Sequence, residues 1–393
     1  MSGSIVTVMK ITGLMTACAG VVMIAAALGG PDAARAAAPA VAPSFTVKGD
    51  FDAVAASSAG NAWAVGYAGA DPALASSTLI AHWNGKTWKR VPSPSPGRQG
   101  MLSAVAVRSA SLAWAVGSYI SSKGQNTLIL RWNGRTWARV SSPSPAVLNS
   151  LTAVAVLSAT DAWAAGTGEN DNGDVAASRP ARSAGSPPPA IDLVLHWNGK
   201  RWQRVPSSAP PPSGDNLAGL AALSSRDAWL AGTRNSEDPA TLTEHWNGKR
   251  WTRVSSPDPG KLPVLDAVAA VASREVWAAG AAGKGSGQRP LILRWNGKKW
   301  TAAKTPAASG GSLGGLAVTS ARNAWAVGAA NSGALILRWN GSAWRRAVSP
   351  SPRSRFLQGV AATSARNAWA VGASITGGTS RTLIEHWNGK SWS

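Results

Sequence analysis

The fold is decided by a segment that reads TLILRWNGRTWARV at residues 127–140. An apolar run with the composition of a strand ends at Trp132, Asn-Gly follows, and a second run begins at Trp137. Asn-Gly between two such runs is the strongest short-range signal of a β-hairpin. The block W-N-G-x-x-W occurs seven times, so we expect the same hairpin seven times. Its first tryptophans are Trp83, Trp132, Trp197, Trp246, Trp295, Trp339 and Trp387.

Two further apolar segments precede each hairpin. One reads A-W-A-V-G or a variant of it and carries the third tryptophan of the repeat, as at Trp114, and its closing glycine predicts a turn. The other follows the pattern L-x-A-V-A, as at residues 102–106. Side chains alternate between the two faces of a strand, so its first, third and fifth residues should share one face. Two of these three side chains are small, and we expect a tryptophan of the adjoining sheet to pack there. All 21 tryptophans are landmarks of this repeat.

Four strands in each of seven repeats predict an all-β protein, a seven-bladed β-propeller with four strands per blade. A linear solenoid is the alternative, but solenoids need terminal repeats with a polar outer face, and the end repeats here resemble the others. The last repeat stops at Ser393, so residues 40–47 are expected to supply its outer strand and close the ring. The repeats lie at about residues 51–100, 101–150, 151–214, 215–262, 263–310, 311–354 and 355–393.

The first 38 residues have the pattern of a targeting segment. An apolar stretch from Ile11 to Leu28 follows Lys10, and residues 34–36 read A-R-A, the small-x-small form of a cleavage site. We predict a signal peptide over 1–38 and an extracellular or cell-wall-associated propeller over 39–393, with no integral membrane span after cleavage. An uncleaved membrane anchor and a lipoprotein signal at Cys18 are the alternatives.

The order of apolar strand, Gly, variable loop, aromatic strand, turn, Trp and Pro resembles a kelch repeat of the galactose-oxidase-type propellers over about residues 45–393. Kelch repeats carry a double Gly where this chain has Gly117 alone, and usually Tyr where it has Trp132. The end of the hairpin, Gly134 to Trp137, also resembles an Asp-box hairpin without its S-x-D start. The resemblance implies a propeller fold and no particular activity.

Few residues carry the chemistry of a catalytic or metal site. The single cysteine lies in the predicted signal peptide, which excludes a disulfide framework, a cysteine zinc site and a galactose-oxidase-like copper radical. The four histidines precede W-N-G in separate repeats, so they should lie at least about 10 Å apart. We predict no catalytic residue, no metal ligand and no cofactor. The histidines are His82, His196, His245 and His386.

Basic residues recur at the same turn positions in successive repeats. The chain has 39 Lys and Arg against 18 Asp and Glu, a net charge of +21. The turns between strands one and two and between strands three and four share one face of a propeller. This predicts a basic face of Lys86, Arg135, Lys200, Arg201, Lys249, Arg250, Lys298 and Lys299, with Arg226, Arg274, Arg322 and Arg366 beside them. The variable loops of the other face hold the candidate partner-binding residues Tyr67, Asp71, Tyr119, Glu169, Asp171, Asp174, Glu237 and Asp238.

These features predict an exported, non-enzymatic binding module or scaffold for a cell-envelope glycan, an anionic polymer or a protein. Nucleic acid is not expected as the partner of an exported protein. A secreted polysaccharide hydrolase or lyase is the alternative, and it should show carboxylates or a metal converging at the ring centre. A structural envelope protein, charges that serve only solubility and a calcium site near Glu169 are left open. The oligomeric state is not fixed by the sequence.

Overall fold

Antiparallel strands make up nearly all of the regular structure. The computed structural model describes residues 45–69, 76–170, 190–208, 214–234, 239–350 and 355–393. They form 27 strands and one short 3-10 turn at Gly285–Gly287, and all belong to one unit, residues 37–393. Among these residues, no helix is long and apolar enough to cross a membrane. The predicted signal peptide lies outside the described residues.

Consecutive strands pair with one another in chain order, so each sequence repeat folds into an antiparallel meander. Meanders 1 to 4 comprise β1 (Gly49–Ser58), β2 (Asn61–Ala68), β3 (Ser77–Trp83), β4 (Trp88–Arg90); β5 (Arg98–Ser109), β6 (Leu112–Ser121), β7 (Gly124–Trp132), β8 (Trp137–Val140); β9 (Leu148–Ser158), β10 (Asp161–Glu169), β11 (Ala190–Trp197), β12 (Trp202–Arg204); β13 (Asn216–Ser224), β14 (Asp227–Arg234), β15 (Ala240–Trp246) and β16 (Trp251–Arg253). Meanders 5 to 7 comprise β17 (Val264–Ala272), β18 (Glu275–Ala282), β19 (Arg289–Trp295), β20 (Trp300–Ala302); β21 (Ser312–Ser320), β22 (Asn323–Ala330), β23 (Gly333–Trp339), β24 (Trp344–Ala347); β25 (Arg355–Ser364), β26 (Asn367–Thr376) and β27 (Thr379–Trp387).

The meanders form six hydrogen-bonded sheets. Meanders 2 and 3 share one eight-stranded sheet because Gln125 pairs with Leu148 in parallel, and the other meanders are separate sheets. The first strand of each meander contacts the first strands of two neighbouring meanders, and these contacts return from β25 to β1. The first strands therefore form the inner layer of the molecule.

Two chain segments complete the outer edge of meander 7. At one end of β27, the backbone of Ser393 exchanges hydrogen bonds of 2.9 and 3.0 Å with His386. At the other end, the Thr382 N–H donates to Val47 O at 3.0 Å, and the Val47 N–H donates to Thr382 Oγ1 at 3.0 Å. The described part of the predicted closing segment thus pairs with β27, but the chain's own end begins the fourth strand.

A β-bulge interrupts every inner strand at the second residue of the L-x-A-V-A segment. In meander 1, Phe51 pairs with Gly66 and Ala53 with Val65, which leaves Asp52 unpaired. The bulge brings the inner strand against the glycine: a Cβ on Gly66 would lie less than 3.0 Å from the Asp50 carbonyl oxygen. The prediction of a turn at this glycine is therefore wrong, because Gly66 lies inside β2 and serves close backbone approach.

The bulge also changes which residues share a face. Leu102 and Val105 pack with Trp63 of the preceding meander, whereas Ala104 and Ala106 pack with Trp114 of their own meander. The expected common face for the first, third and fifth residues is therefore wrong, since the extra residue turns the first one over.

The tryptophans hold neighbouring meanders together in clusters of three. Trp63 of β2 is fully buried, and its ring centroid lies 4.8 Å from that of Trp132 and 5.1 Å from that of Trp137 in the next meander. Aromatic pairs of this kind contribute about 0.5–1.5 kcal/mol each beyond their buried area. The tryptophans thus form the core between sheets. The corresponding β-strand-two residues Trp114, Trp163, Trp229, Trp277, Trp325 and Trp369 repeat the arrangement.

In meanders 1, 2 and 4, a threonine of the third strand holds the linker that follows through hydrogen bonds. Thr127 Oγ1 lies 2.7 Å from Ser142 Oγ and donates to the Pro143 carbonyl at 3.1 Å. Ser144 Oγ accepts the Thr127 N–H at 3.1 Å. The linker therefore runs along the outer edge of its own meander before it enters the next one.

Candidate functional site: the basic turn face

The Asn-Gly turns have one geometry throughout the chain. In meander 1, Asn84 Oδ1 accepts the N–H groups of Lys86 and Thr87, both at 3.0 Å. Gly85 follows with a φ of 93°, a left-handed conformation that favours glycine. The next residue, here Lys86, is exposed at the tip. The predicted hairpin is thus confirmed, and its chemistry presents a side chain to solvent.

The turn between strands one and two lies directly beside the Asn-Gly turn of the same meander. The aliphatic stem of Arg226 covers Gly248, since a Cβ on that glycine would lie 2.8 Å from Arg226 Cγ. Arg274 covers Gly297 in the same way. The two kinds of turn therefore form one surface, which we call the basic turn face. Its members among the predicted residues, all exposed, are Lys86, Arg135, Lys200, Arg201, Lys249, Arg250, Lys298, Lys299, Arg226, Arg274, Arg322 and Arg366.

The polar residue before each W-N-G block lies over the buried second-strand tryptophan of its own meander. His82 stacks on Trp63 with 4.1 Å between ring centroids, and its Nε2 lies 2.8 Å from Asn61 Oδ1. Arg294 takes the same place over Trp277 and donates to Glu275 at 2.7 and 2.9 Å. These side chains close the rim of the core beneath the basic turn face.

The predicted partner-binding residues of the opposite face are only partly described. Tyr67 and Tyr119 are each 8% exposed and belong to second strands rather than to the variable loops. The Tyr119 ring is covered by the Arg139 guanidinium, 4.7 Å from its centroid. Glu169 ends β10 and is partly exposed. Asp71, Asp171, Asp174, Glu237 and Asp238 lie outside the described residues.

The bulges place a set of polar side chains on the inner strands. Gln358 Nε2 donates to Asp52 Oδ1 at 3.0 Å and so joins the bulges of meanders 7 and 1. Burial raises the pKa of Asp50 to about 7, and burial beside Asp50 raises the pKa of Asp52 well above its usual range. Burial also raises the pKa of Asp266 to about 6. The bulge residues are Asp52, Ser103, Thr152, Ala218, Asp266, Gly314 and Gln358.

These inner carboxyls are not among the residues predicted from the sequence. Alignment of the repeats could have found them, since Asp52 and Asp266 stand at the variable position of the first strand, where other repeats carry neutral residues. A carboxyl group that stays protonated near neutral pH can act as a general acid. Among the described residues, Asp50 and Asp52 are therefore one arrangement that an enzyme could use.

A second carboxyl cluster lies between meanders 3 and 4. Carboxyl oxygens of Asp192, Asp215 and Glu244 lie within 4.8 Å of one another, which is a donor set that a hard cation could use. Burial raises the pKa of Asp192 to about 6 and raises that of Glu244. Arg253 pairs with Asp215 at 2.6 Å, and Ser208 donates to Glu244. All three carboxyls therefore have partners within the protein, since the Asp192 carboxyl also accepts a backbone hydrogen bond.

Ser208 and Arg253, which contact this cluster, also line a surface cleft of about 550 Å³. Asp192 stands where the threonine that fastens the linker is found in other repeats, and its Oδ1 accepts the Asp215 N–H at 2.7 Å. The cluster thus fastens a linker by another chemistry. The cleft is lined by Pro206, Ser207, Ser208, Arg250, Trp251, Thr252 and Arg253.

No family model matches the chain, and no curated protein matches it in sequence. Several solved structures resemble it. YCF48 bound to D1 peptide is 12% identical with a TM-score of 0.51, over 88% of this chain and 96% of that one. An ulvan lyase of polysaccharide lyase family PL25, bound to -[GlcA(1-4)Rha3S]-, is 10% identical with a TM-score of 0.57, over 88% and 95%. The WD40 repeats of RRP9 are 12% identical with a TM-score of 0.52, over 82% and 87%. At such identities the likeness concerns the fold alone, and this chain is a β-propeller repeat protein.

Proposed function

We propose that the chain is a closed, seven-bladed propeller exported from the cell, in which each meander is one blade. The cyclic contacts of the inner strands and the tryptophan cluster of Trp369 with meander 1 support this count. The A-R-A motif at residues 34–36 supports export. The order of strands and turns remains kelch-like in sequence, and we keep that assignment as part of the proposal.

We infer that the propeller is a binding module whose basic turn face takes an anionic polymer of the cell envelope. The observation that carries this proposal is the uniform exposure of the turn cations, one or more in every meander. Each Asn-Gly turn is built from backbone and asparagine hydrogen bonds that do not involve the basic side chain, so the positive charges at the tips are not needed to form the turns. Clustered cations of one sign attract a polyanion through its summed charge.

The test is binding of residues 39–393 to isolated cell walls across a salt series. Binding that disappears by about 0.5 M salt supports the proposal, because salt screens exposed charges. Binding that survives high salt points to a specific site on the variable loops, and absence of binding at every salt concentration points to a protein partner.

Two matched variants locate the binding surface. The first replaces four turn cations with serine, at Lys86, Arg135, Lys249 and Lys298. The second replaces four exposed cations of the outer strands, at Lys89, Arg90, Arg204 and Arg345, and so removes the same charge elsewhere. The proposal requires that the first variant weakens binding more than the second; equal weakening would assign the effect to net charge alone.

A second candidate function, hydrolysis or lysis of a polysaccharide, draws support from the inner carboxyl pair. Asp50 and Asp52 lie on the inner strand beside Gln358, where an enzyme of this fold should gather carboxylates. The test is release of reducing ends or unsaturated sugars from envelope polysaccharides. Activity that is lost in Asp52→Asn, with unchanged thermal stability, would favour an enzyme over a binding module.

A further inference from the structure

The cations of the basic turn face are concentrated in two neighbouring meanders. Meanders 4 and 5 each carry three exposed cations in their turns, whereas meanders 1, 2 and 6 carry one each and meanders 3 and 7 two each. In meander 6 the Asn-Gly turn is neutral, because Ser342 and Ala343 take the places of the basic residues. The six residues of meanders 4 and 5, which we call the cation sector, are Arg226, Lys249, Arg250, Arg274, Lys298 and Lys299.

The cation sector is continuous across the boundary between the two sheets. Within each meander, the stem of the first-turn arginine covers the glycine of the Asn-Gly turn, which directly precedes the two basic residues at the tip. Between the meanders, the Ser273 hydroxyl donates to Asp227. Ser273 precedes Arg274 and Asp227 follows Arg226, so this hydrogen bond brings the two arginine turns together.

The acidic residues at this boundary do not neutralise the cation sector. Asp227 lies 3.0 Å from His245 Nε2, and Glu275 receives two hydrogen bonds from Arg294. Their side chains are only 15% and 14% exposed, so they face the core rim rather than the tips. Among the described residues, none of the six cations makes an ion pair. The cation sector is therefore free to bind external anions.

We propose that the cation sector is the track along which a linear polyanion lies. This proposal rests on the proposed function and deepens it, because it names the part of the face and the shape of the ligand. Packed sheets lie about 10 Å apart, so a single phosphate or sulfate group cannot contact the Asn-Gly turns of both meanders at once. A chain that repeats its charge can contact both meanders at once, and its affinity then grows with its length.

The experiment measures binding of the full chain to inorganic pyrophosphate, long-chain polyphosphate and heparin. The sector variant carries Lys249→Ser, Arg250→Ala and Lys298→Ser, which copies the neutral turn of meander 6. The control variant carries Lys86→Ser, Arg135→Ser and Lys390→Ser outside the sector, and it removes the same three charges. Thermal melting of both variants verifies that they fold.

We expect long-chain polyphosphate or heparin to bind far more tightly than pyrophosphate. At low salt, the sector variant should lose about tenfold in affinity and the control variant clearly less, since each lost contact removes its share of counterion release. Polyphosphate and heparin together separate phosphate from sulfate as the preferred group.

Three results would overturn the proposal. Equal losses in the two variants would spread binding over the whole face, which would leave the proposed function standing. Pyrophosphate binding as tight as that of the polymers would indicate a point site. Failure of the unmodified chain to bind any of the three probes would remove both the track and the proposed function.

Discussion

The indole ring of Trp369, near the end of the chain, lies 4.8 Å from that of Trp83, near its beginning, measured between centroids. The same spacing joins Trp63 to Trp132 inside the chain. The first and last meanders therefore meet through the same tryptophan contact that joins every other pair of neighbouring meanders. The tryptophan packing at the junction of meanders 7 and 1, which we call the seam, is the same as elsewhere. What distinguishes the seam is the pairing of Val47 and Lys48 with β27.

Deletion of residues 39–48 should lower the melting temperature. It removes two hydrogen bonds to Thr382 and the stacking of Phe45 on Phe51, whose ring centroids lie 5.8 Å apart. These contacts together contribute about 2–4 kcal/mol, which corresponds to a fall of several degrees. The control is a chain that begins at Phe45 and keeps all of these contacts. Equal melting temperatures for the two chains would mean that this segment does not stabilise the ring.

The replacement Gly328→Ala should destabilise the protein strongly. A Cβ at this position would lie against the Ser312 carbonyl oxygen, closer than atoms can approach, because the bulge presses the inner strand onto β22. Steric overlap of this kind costs about 1–3 kcal/mol or more in the free energy of unfolding. Gly287→Ala is the matched control, since nothing lies within 4 Å of its added Cβ. Chemical denaturation of both variants decides the matter, and similar midpoints would contradict the close approach.

The replacement Asp266→Asn should stabilise the protein above about pH 6. Burial raises the folded-state pKa of Asp266 from 3.8 to about 6. As the pH rises between these values, the unfolded chain releases this proton while the folded chain retains it, so the wild-type free energy of unfolding falls. The asparagine variant escapes that loss, which is on the order of 1–2 kcal/mol for a partly exposed group. Denaturation at pH 3.5 and pH 7.5 measures it, and a pH-independent difference between variant and wild type would refute the assignment.

The imidazoles of His82 and His386 should titrate below 6.5 in NMR spectra. Burial over a tryptophan lowers the pKa of each, and their partners Asn61 and Asn367 carry no charge. Asn61→Asp, which copies Asp161 of meander 3, should raise the midpoint of His82 because a carboxylate favours the imidazolium. The midpoint of His386 serves as the internal control. A His82 midpoint unmoved by the new carboxylate would show that the two side chains do not pair in solution.

The sequence predicted the parts of the structure that repeat and depend on local chemistry. Asn-Gly specified the hairpins because asparagine and a left-handed glycine build that turn without help from other residues. The tryptophan core was predictable for a similar reason, since every Trp recurred at a fixed strand position. The bulges were not predictable, because an extra residue in a ladder leaves no local signal, and period-2 alternation then assigned Leu102 to the wrong face.

The candidate site was predictable to a different degree. Exposure of Lys86 and its equivalents followed from their places in turns, which needs no tertiary information. The pairing of Asp50 and Asp52 with Gln358 joins residues about 300 positions apart, and only the meeting of first and last meanders creates it. Tyr119 was misplaced because the long second strand β6 continues past the glycine, where the sequence pattern ends.

Because Asn84 and Gly85 shape their turn without using the side chain of Lys86, the tips can change without disturbing the core. Each tryptophan cluster joins two meanders in the same way around the molecule. Substitutions can therefore change the charge of one Asn-Gly turn at a time while the tryptophan core stays the same, as the neutral turn of meander 6 illustrates. Such a protein can evolve a new ligand preference by small, independent steps. By the same route, a chosen pattern of charges could be engineered on the basic turn face.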